Sequence, residues 1–405
     1  MLTFHYTARD PATGQLLKAD VQAENEQAAA KLIRQEGYSP IEISTGSKGA
    51  AGLWDRFTNR VSAKDKVLFS RQLATLINAG LPLVQSLRNV TDQMVNKKFK
   101  LVLNQVIADV EGGSALSASF AKHPDIFNQV YVSLVAAGEA SGTLDAALDR
   151  LATQQEKDAE LMSKVRGAMI YPIIVLVVML GVVGFMIVKV LPQVKTLYEG
   201  MPGANLPLLT RVLLAISDFV IQFWWVAAIL LGLGLFFGSR WARTVGGRRI
   251  VDRVKLKAWP VGPLFVKMYM ARFCRTATTL VASGVPLLQV LGISAEAVNN
   301  IHIAEAIRRT AEKVKGGKAL SDSLAKEPLF LSLVPNMVRI GEESGSLENM
   351  LEKAASYYEK EVDDQVKTIS TIIEPVLMVI LGVVAFIIVA AVLLPIYGLA
   401  GQSFV

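Results

Sequence analysis

Apolar residues follow two regimes along this chain. Three stretches, from about Ile170 to Leu191, Phe219 to Gly238 and Ile372 to Leu394, are apolar-rich over about 20 residues, enough for a helix to cross a bilayer. Elsewhere the apolar positions recur at helical spacing. Leu68, Leu73, Leu76 and Ile77 form a stripe that ends at Gly80, and Pro82 opens the next helix, where a proline in the first turn forfeits no hydrogen bond. Gly112 and Gly113 end a third helix, and a fourth carries LSASFAKHP and stops near Pro124. A fifth precedes the turn GEASG, and a sixth runs from Leu144 toward the first apolar stretch.

This series is written twice. FSRQLATLINAGLPLVQSL, from Phe69 to Leu87, returns as FCRTATTLVASGVPLLQVL, from Phe273 to Leu291, an offset of 204 residues. The register carries Arg71 onto Arg275, Gly80 onto Gly284 and Pro82 onto Pro286. One residue is then lost, so that GEASGTL (Gly138, Glu139, Gly142) reappears as GEESGSL (Gly341, Glu342, Gly345), and Pro172 and Pro192 return as Pro375 and Pro395. Each copy is thus a polar helical unit of roughly 100 residues leading into a span. Six helices per copy with short connections predict an antiparallel bundle.

The first residues have the other periodicity. FHYTAR and LLKADVQA read as strands separated by a turn at DPATG, Glu26 to Glu36 as a helix stopping at Gly37, and SPIEI as a closing strand. The expected fold class is mainly α: a polytopic membrane protein with two homologous cytoplasmic six-helix bundles, three transmembrane helices and a small N-terminal α+β domain. The expected boundaries are 1–45 for the ββαβ domain, 46–63 for a glycine-rich linker, 64–168 for the first bundle and 169–192 for the first span. An outer loop over 193–217, a second span over 218–239, the second bundle over 240–371, a third span over 372–396 and an outer tail over 397–405 complete the chain.

Composition and charge sharpen this picture. The 405 residues are 52% hydrophobic and 19% charged, too apolar for an ordinary soluble enzyme and too charged for packed spans alone. Directly after the second apolar stretch come Arg240, Arg243, Arg248, Arg249, Arg253, Lys255 and Lys257, with only Asp252 opposing. A basic run beside a span reads as cytoplasmic, with a specific anionic lipid or a nucleic acid as the alternative. The formal charge of +7 therefore needs no nucleic-acid partner. If both copies face the cytoplasm, an odd number of crossings must lie between them, and the second span supplies one. The N-terminus MLTFHYTARD has early charges and no apolar h-region, so no secretory signal is expected. The single cysteine, Cys274, has no partner for an internal disulfide.

No reaction centre is legible. KGGKALSDS, from Lys315 to Ser323, lacks the leading glycine and the hydroxyl of a phosphate-binding loop, and no metal-ligand or nucleophile motif occurs. Asp218 and Glu374 fall at span edges, where they read as headgroup-level residues rather than paired intramembrane acids. No catalytic, cofactor-binding or metal-binding residue is expected. The glycines and prolines at Gly80, Pro82, Gly284 and Pro286 read first as folding devices and second as contact sites. Glu139 and Glu342 have three readings: carboxylates favouring the start of the sixth helix, a contact with a basic partner, or a weak divalent-cation site.

RQLATLINAGLPL, GEASGTL, the duplication, the three spans and the N-terminal domain together resemble the type II secretion F / PilC family of inner-membrane platform proteins. KVRGAMIYPIIVLVVMLGVVGFMIVKVLP, from Lys164 to Pro192 with Tyr171-Pro172 at its centre, is similar to the family's signature leading into the first span; the second copy departs from it, with Glu374 before Pro375. The resemblance implies a non-enzymatic, multi-pass protein of the bacterial inner membrane in a type IV pilus or type II secretion machine. It also implies partners: a hexameric assembly ATPase, pilin or pseudopilin subunits, other inner-membrane machine components, the lipid bilayer, and a second copy of itself, commonly as a dimer. The turns around Glu139 and Glu342 and the helix ends at Gly80 and Gly284 are expected to shape the cytoplasmic contact surface. A repeat-built transporter component is the alternative, although such proteins usually carry more spans.

Overall fold

The computed structural model describes residues 2–9, 16–23, 26–35, 37–45, 61–190, 192–193, 208–242, 244–258 and 261–402. Most of the expected linker and outer loop, and the last three residues of the expected tail, lie outside the described residues. The chain divides into two compact units, one of residues 1–62 with 94–101 and one of residues 63–93 with 102–405.

In the first unit, strands β1 (Leu2–Arg9), β2 (Leu16–Ala23) and β3 (Ser39–Thr45) form an antiparallel sheet in the order β2-β1-β3. Phe4 sits opposite Val21 on one side and Thr45 on the other, and the β1–β3 register shifts between Thr7 and Ala8, where Pro40 can offer no N–H to the ladder. Helix α1 (Glu26–Gln35) buries Ile33 against Ala19, Val21 and Tyr38.

The second unit is helical. Its first series comprises α2 (Ala63–Asn78), α3 (Leu83–Gln93), α4 (Lys97–Glu111, whose first five residues belong to the first unit), α5 (Leu116–Ala121), α6 (Gln129–Ser141) and α7 (Leu144–Phe185). After α8 (Leu208–Trp241) and α9 (Val245–Lys257), the series returns as α10 (Gly262–Ala282), α11 (Leu287–Ala297), α12 (Ile301–Lys315), α13 (Leu320–Ala325), α14 (Leu333–Ser344) and α15 (Leu347–Gln402).

Aromatic packing organises the first bundle. Phe120 and Phe127 lie 4.2 Å apart between ring centroids, Tyr131 meets Phe120 edge-on at 5.1 Å, and Phe69 completes the cluster from α2. The buried stripe of α2 is therefore Phe69, Leu73 and Ala74, whereas Leu68, expected in that stripe, is 50% exposed. Ser70 donates from its hydroxyl to the buried Tyr131 oxygen at 3.3 Å. In the second bundle Cys274 stands in place of Ser70 and Val334 in place of Tyr131, so both polar partners are replaced together and no buried donor is orphaned. Burial pushes the Cys274 thiol well above its ordinary pKa, which keeps it protonated and unreactive.

The ends of the first helices match between copies. Gly80 and Gly284 take φ of 83° and 74°, and the amides of Leu81 and Val285 reach back to the carbonyls of Leu76 and Leu280, closing each helix in a Schellman turn. Pro82 and Pro286 stand one residue before the following helix rather than in its first turn. Pro286 has an extended ψ of 138°, and the Pro82 carbonyl accepts from Ser86 at 2.9 Å, which makes each proline the N-cap.

Two helices, Leu144–Val190 and Leu347–Ala390, are long and apolar enough to cross a membrane, each with a window of mean hydropathy 2.9. Both rise from the polar bundle without a break, α7 passing through Pro172 and ending in a π-helical turn at Met186–Val190 just before Pro192. The second apolar stretch departs from the single straight span expected of it. α8 breaks at Phe223 (φ −114°, ψ 17°), and Ser217–Phe223 and Ala228–Trp241 meet at 71°, so a third crossing requires the bent pair to act as one span. No glycine or proline marks the break. Just ahead of it the Ser217 hydroxyl donates to the Ile187 carbonyl at 2.6 Å, in the π-helical turn. α15 likewise runs on to Gln402, past the point where an outer tail was expected.

Gly341 lies where α14 turns into α15, and a Cβ there would meet the Leu347 Cα at 2.8 Å. Since that neighbour is backbone, Gly341→Ala should lower stability by about 1–3 kcal/mol. A thermal melt of the detergent-solubilised protein checks this; an unchanged midpoint would mean that the two helices separate freely.

Candidate functional site

Arg71 and Arg275, matched by the repeat, each donate four side-chain hydrogen bonds. Arg71 projects from α2 onto one face of α7, whose residues 149, 153 and 156 are spaced so as to line up. Its Nη1 donates to Asp149 Oδ1 at 2.7 Å, its Nε and Nη2 form a fork on Glu156 at 2.7 and 2.6 Å, and Nη2 also donates to Thr153 Oγ1 at 3.0 Å. In the second copy Arg275 donates to Glu352 at 2.6 Å, to Glu359 at 2.8 Å and to Ser356 at 3.4 Å. The acceptor residue types are kept or exchanged for near equivalents, and the geometry is kept.

The electrostatics differ in degree. Hydrogen bonding between Arg71 and Glu156 holds the guanidinium above and the carboxyl below their ordinary pKa values. Arg275 is only 9% exposed; burial works against its charge, yet the bonds to Glu359 and Glu352 outweigh it and leave its pKa raised.

Of the carboxylates in the acidic turns, Asp145 and Glu348 lie in the first turn of the sixth helix, whereas Glu139 and Glu342 do something else. α5 and α13 begin after Ala115 and Ala319, which have no side chain that can cap them. Glu139 reaches across from α6 and accepts from the amides of Leu116 (2.5 Å) and Ser117 (3.1 Å), and also from the Ser117 hydroxyl. Glu342 accepts from the amides of Leu320 and Ser321 at 2.7 and 3.1 Å. Each glutamate is therefore a remote N-cap for the fourth helix, whose orphan amides it satisfies. Gly138 and Gly341, one position earlier, let the fifth and sixth helices close up, and Gly142 and Gly345 turn between them in the left-handed conformation. Among the described residues no group of three or more His, Cys, Asp or Glu side chains is placed to hold a metal ion.

Several bonds tie the two copies together, and the sequence signalled none of them. Lys164 of α7 donates to Asp363 of α15 at 2.6 Å and also pairs with Glu160 at 2.8 Å. These bonds hold the Lys164 pKa above its ordinary value, that to Asp363 first. Below them, the buried Gln154 amide donates to Thr276 at 3.2 Å and accepts from Thr279 at 3.1 Å, while Arg272 pairs with Asp158 at 3.3 Å. Glu327, 4% exposed, holds Arg309 and Lys313 inside the second bundle.

The expected contact residues separate on this frame. Gly284 and Pro286 line a groove with Ala137 of the first copy, whereas Ile340, which matches Ala137, is 47% exposed. Gly80 and Pro82 are exposed. Tyr171 is 53% exposed on the apolar part of α7, about two turns beyond Lys164 and on the way to Pro192.

Residues 69–192 and 273–395, the two copies with their apolar stretches, each match the family described as Type II secretion system (T2SS), protein F, and residues 1–44 match the N-terminal domain of that protein. The chain is 41% identical over 405 residues to the type IV pilus assembly protein PilC of Thermus thermophilus, covering 99% of both chains. It is 37% identical over 369 residues to the protein of that name in Pseudomonas aeruginosa, covering 91% of this chain and 97% of the other. With the type II secretion system protein F of Pseudomonas aeruginosa it shares 34% over 403 residues, covering 98% and 99%.

The two arginine braces should respond unequally to removal. Arg275→Met leaves Glu359, only 15% exposed at its side chain, without its cation; the expected cost is about 2–4 kcal/mol, against about 1 kcal/mol for the more exposed brace in Arg71→Met. Differential scanning fluorimetry of both variants checks the order. The brace is also acid-labile. Because the Glu156 pKa is depressed below the ordinary 4.5, its contribution is complete above that value and fades as pH falls through the lower folded value. The wild type should therefore lose more of its melting temperature than Arg71→Met on acidification from about pH 6 to below the ordinary carboxylate pKa.

Proposed function

The chain belongs to the type II secretion system protein F family, and from that premise we propose that it is a non-enzymatic platform protein of the bacterial inner membrane. In this reading it serves a type IV pilus or type II secretion machine and couples a cytoplasmic assembly ATPase to the extraction and polymerisation of pilin or pseudopilin subunits. With the bent α8 acting as a third crossing, the N-terminal domain and both bundles would lie on the cytoplasmic side, a reading that the basic run after α8 supports.

One observation carries the reading. α7 and α15 each continue from a braced polar bundle into a membrane-length apolar helix, and Lys164–Asp363 ties the two just below their apolar parts. A force applied to either bundle therefore reaches both spans through continuous hydrogen-bonded helix rather than through a loop. The polar bundles offer the surface for the ATPase, and the apolar helices, 0% buried over their hydropathy windows, offer lipid-facing or subunit-facing sides for pilins. The chain would act with a second copy of itself and with other inner-membrane components of the machine.

The copies are unequal as docking surfaces. Ala137 faces the groove beside Gly284 and Pro286, so its matching residue in the second copy, Ile340, is the more accessible of the two. Glu139→Lys and Glu342→Lys would remove helix caps, so loss of assembly in those variants would report folding as readily as contact. A photo-crosslinker at Ile340 tests contact alone. In cells assembling filaments, Ile340 should crosslink to the assembly ATPase and Ala137 should not. Absence of the ATPase adduct at Ile340, with filaments still forming, would move the motor contact off this surface.

A further inference from the structure

Helix α9 has no counterpart in the repeat. It begins directly after α8: Gly247 packs so closely on the end of α8 that a Cβ would meet the Trp241 carbonyl oxygen at 1.9 Å, and Thr244 caps the first turn by accepting from the Gly247 amide at 3.2 Å. Its far end leads within a few residues to Gly262, the start of α10. α10 runs antiparallel to α15. Arg275 is level with 352–359, whereas Lys267 is level with Glu361 (2.7 Å) and Gln365 (3.0 Å). Gly262 thus lies about 8 Å nearer the apolar part of α15 than Lys267 does, within about a turn of Ile372. α9 accordingly starts at the end of one apolar helix and finishes beside the beginning of another. A 13-residue helix, about 20 Å long, with both ends at that level lies along the boundary between polar and apolar parts.

The side chains divide accordingly. The inner face is held by Asp252, 2% exposed, which accepts from the Ile301 amide at 3.0 Å and pairs with Lys255 at 3.2 Å. On the outer face Ile250 and Val254, one turn apart, are 51% and 57% exposed, and Trp241 at the end of α8 is 50% exposed. Beside this apolar line runs a second one of cations, Arg249, Arg253 and Lys257, also one turn apart. Arg249 pairs with Glu305, but among the described residues Arg253 and Lys257 have no carboxylate partner.

We propose that α9 is an interfacial helix that rests on the bilayer surface, with Ile250 and Val254 in the headgroup–acyl boundary and Arg253 and Lys257 on the phosphates of anionic lipids. This rests on the membrane placement argued above. The apolar line needs a non-aqueous phase to cover it, continuity with α8 supplies that phase, and the unpaired cations match its surface charge. Charge and exposure together also explain why the basic run contains apolar residues at helical spacing, which a purely topological signal does not need.

The test uses the full chain in nanodiscs, with nitroxide labels at Ile250→Cys or Val254→Cys and with Cys274→Ser, serine being the residue at the matching position of the first copy. Oxygen and nickel accessibilities measured by EPR give label depth. Ile250 and Val254 labels should report about 5–10 Å below the phosphates, with an oxygen-to-nickel ratio severalfold higher in discs rich in phosphatidylglycerol than in phosphatidylcholine discs. Arg253→Gln with Lys257→Gln should abolish that difference between lipids. Water-exposed labels at both positions would overturn the proposal, as would a protein contact shielding them from both reagents. Equal depth in both lipids would overturn the role of the phosphates. Labels at Leu231 and Leu381 distinguish the underlying reading: if these too are in water, the membrane placement itself fails, and if they are in lipid while Ile250 is not, only α9 has been misassigned.

Discussion

Two guanidinium groups fix how each bundle meets its long helix. Arg71 and Arg275 reach from the first helix of each series to residues spaced over two turns of the last, at 149, 153 and 156 and again at 352, 356 and 359. A bidentate charge-assisted contact has one good geometry, so the brace sets both the height and the rotation of the long helix against the bundle. The aromatic cluster and the remote caps at Glu139 and Glu342 complete a body whose last helix is not free to swivel. Without that constraint, a helix shared between water and membrane would transmit little but bending.

Duplication has not made the copies interchangeable. Gln154 of α7 faces Thr276 and Thr279 of α10, and Arg272 faces Asp158, whereas the residues at the matching places in the other direction, Tyr357 and Leu68, are each 50% exposed. Below the Lys164–Asp363 tie between the two last helices, the contact between copies is heterologous: it uses the late helices of the first and the early helices of the second. Each copy has kept the brace, where geometry is demanding, and has diverged on the outer surface, where neighbours differ. The exchange of Ser70 and Tyr131 for Cys274 and Val334 shows the same tolerance in the core, since removing both members of a buried hydrogen bond leaves nothing unsatisfied.

What was legible in the sequence was what is local. Helix ends at Gly80 and Gly284, the apolar spans, and the repeat itself all announce themselves within a few residues, because glycine in the left-handed region and apolar runs have few competing explanations. Leu68 was misassigned because a stripe read at helical spacing cannot tell its edge from its centre. The capping role of Glu139 is not legible because its signal is a missing one, an alanine where α5 needs a cap. The braces and the ties between copies were invisible for a different reason. Arg71 and Asp149, or Lys164 and Asp363, look like any charges on solvated helix faces until the topology brings them together. The break at Phe223 had no glycine or proline to betray it.

The uninterrupted passage of α7 and α15 from bundle to apolar segment makes helical phase a structural quantity in its own right. Each residue in such a helix turns everything beyond it by about 100° and advances it by about 1.5 Å. One residue inserted between the brace at Glu156 and the apolar segment of α7 would therefore aim a different stripe of that segment at α15, without altering one side chain of either partner. Seven residues, nearly two full turns, would restore the aim while lifting the segment by about 10 Å. The spacing between brace and bilayer thus works as the setting of an angle, and tolerance to added length along these helices should follow a period of the helix rather than fall off smoothly.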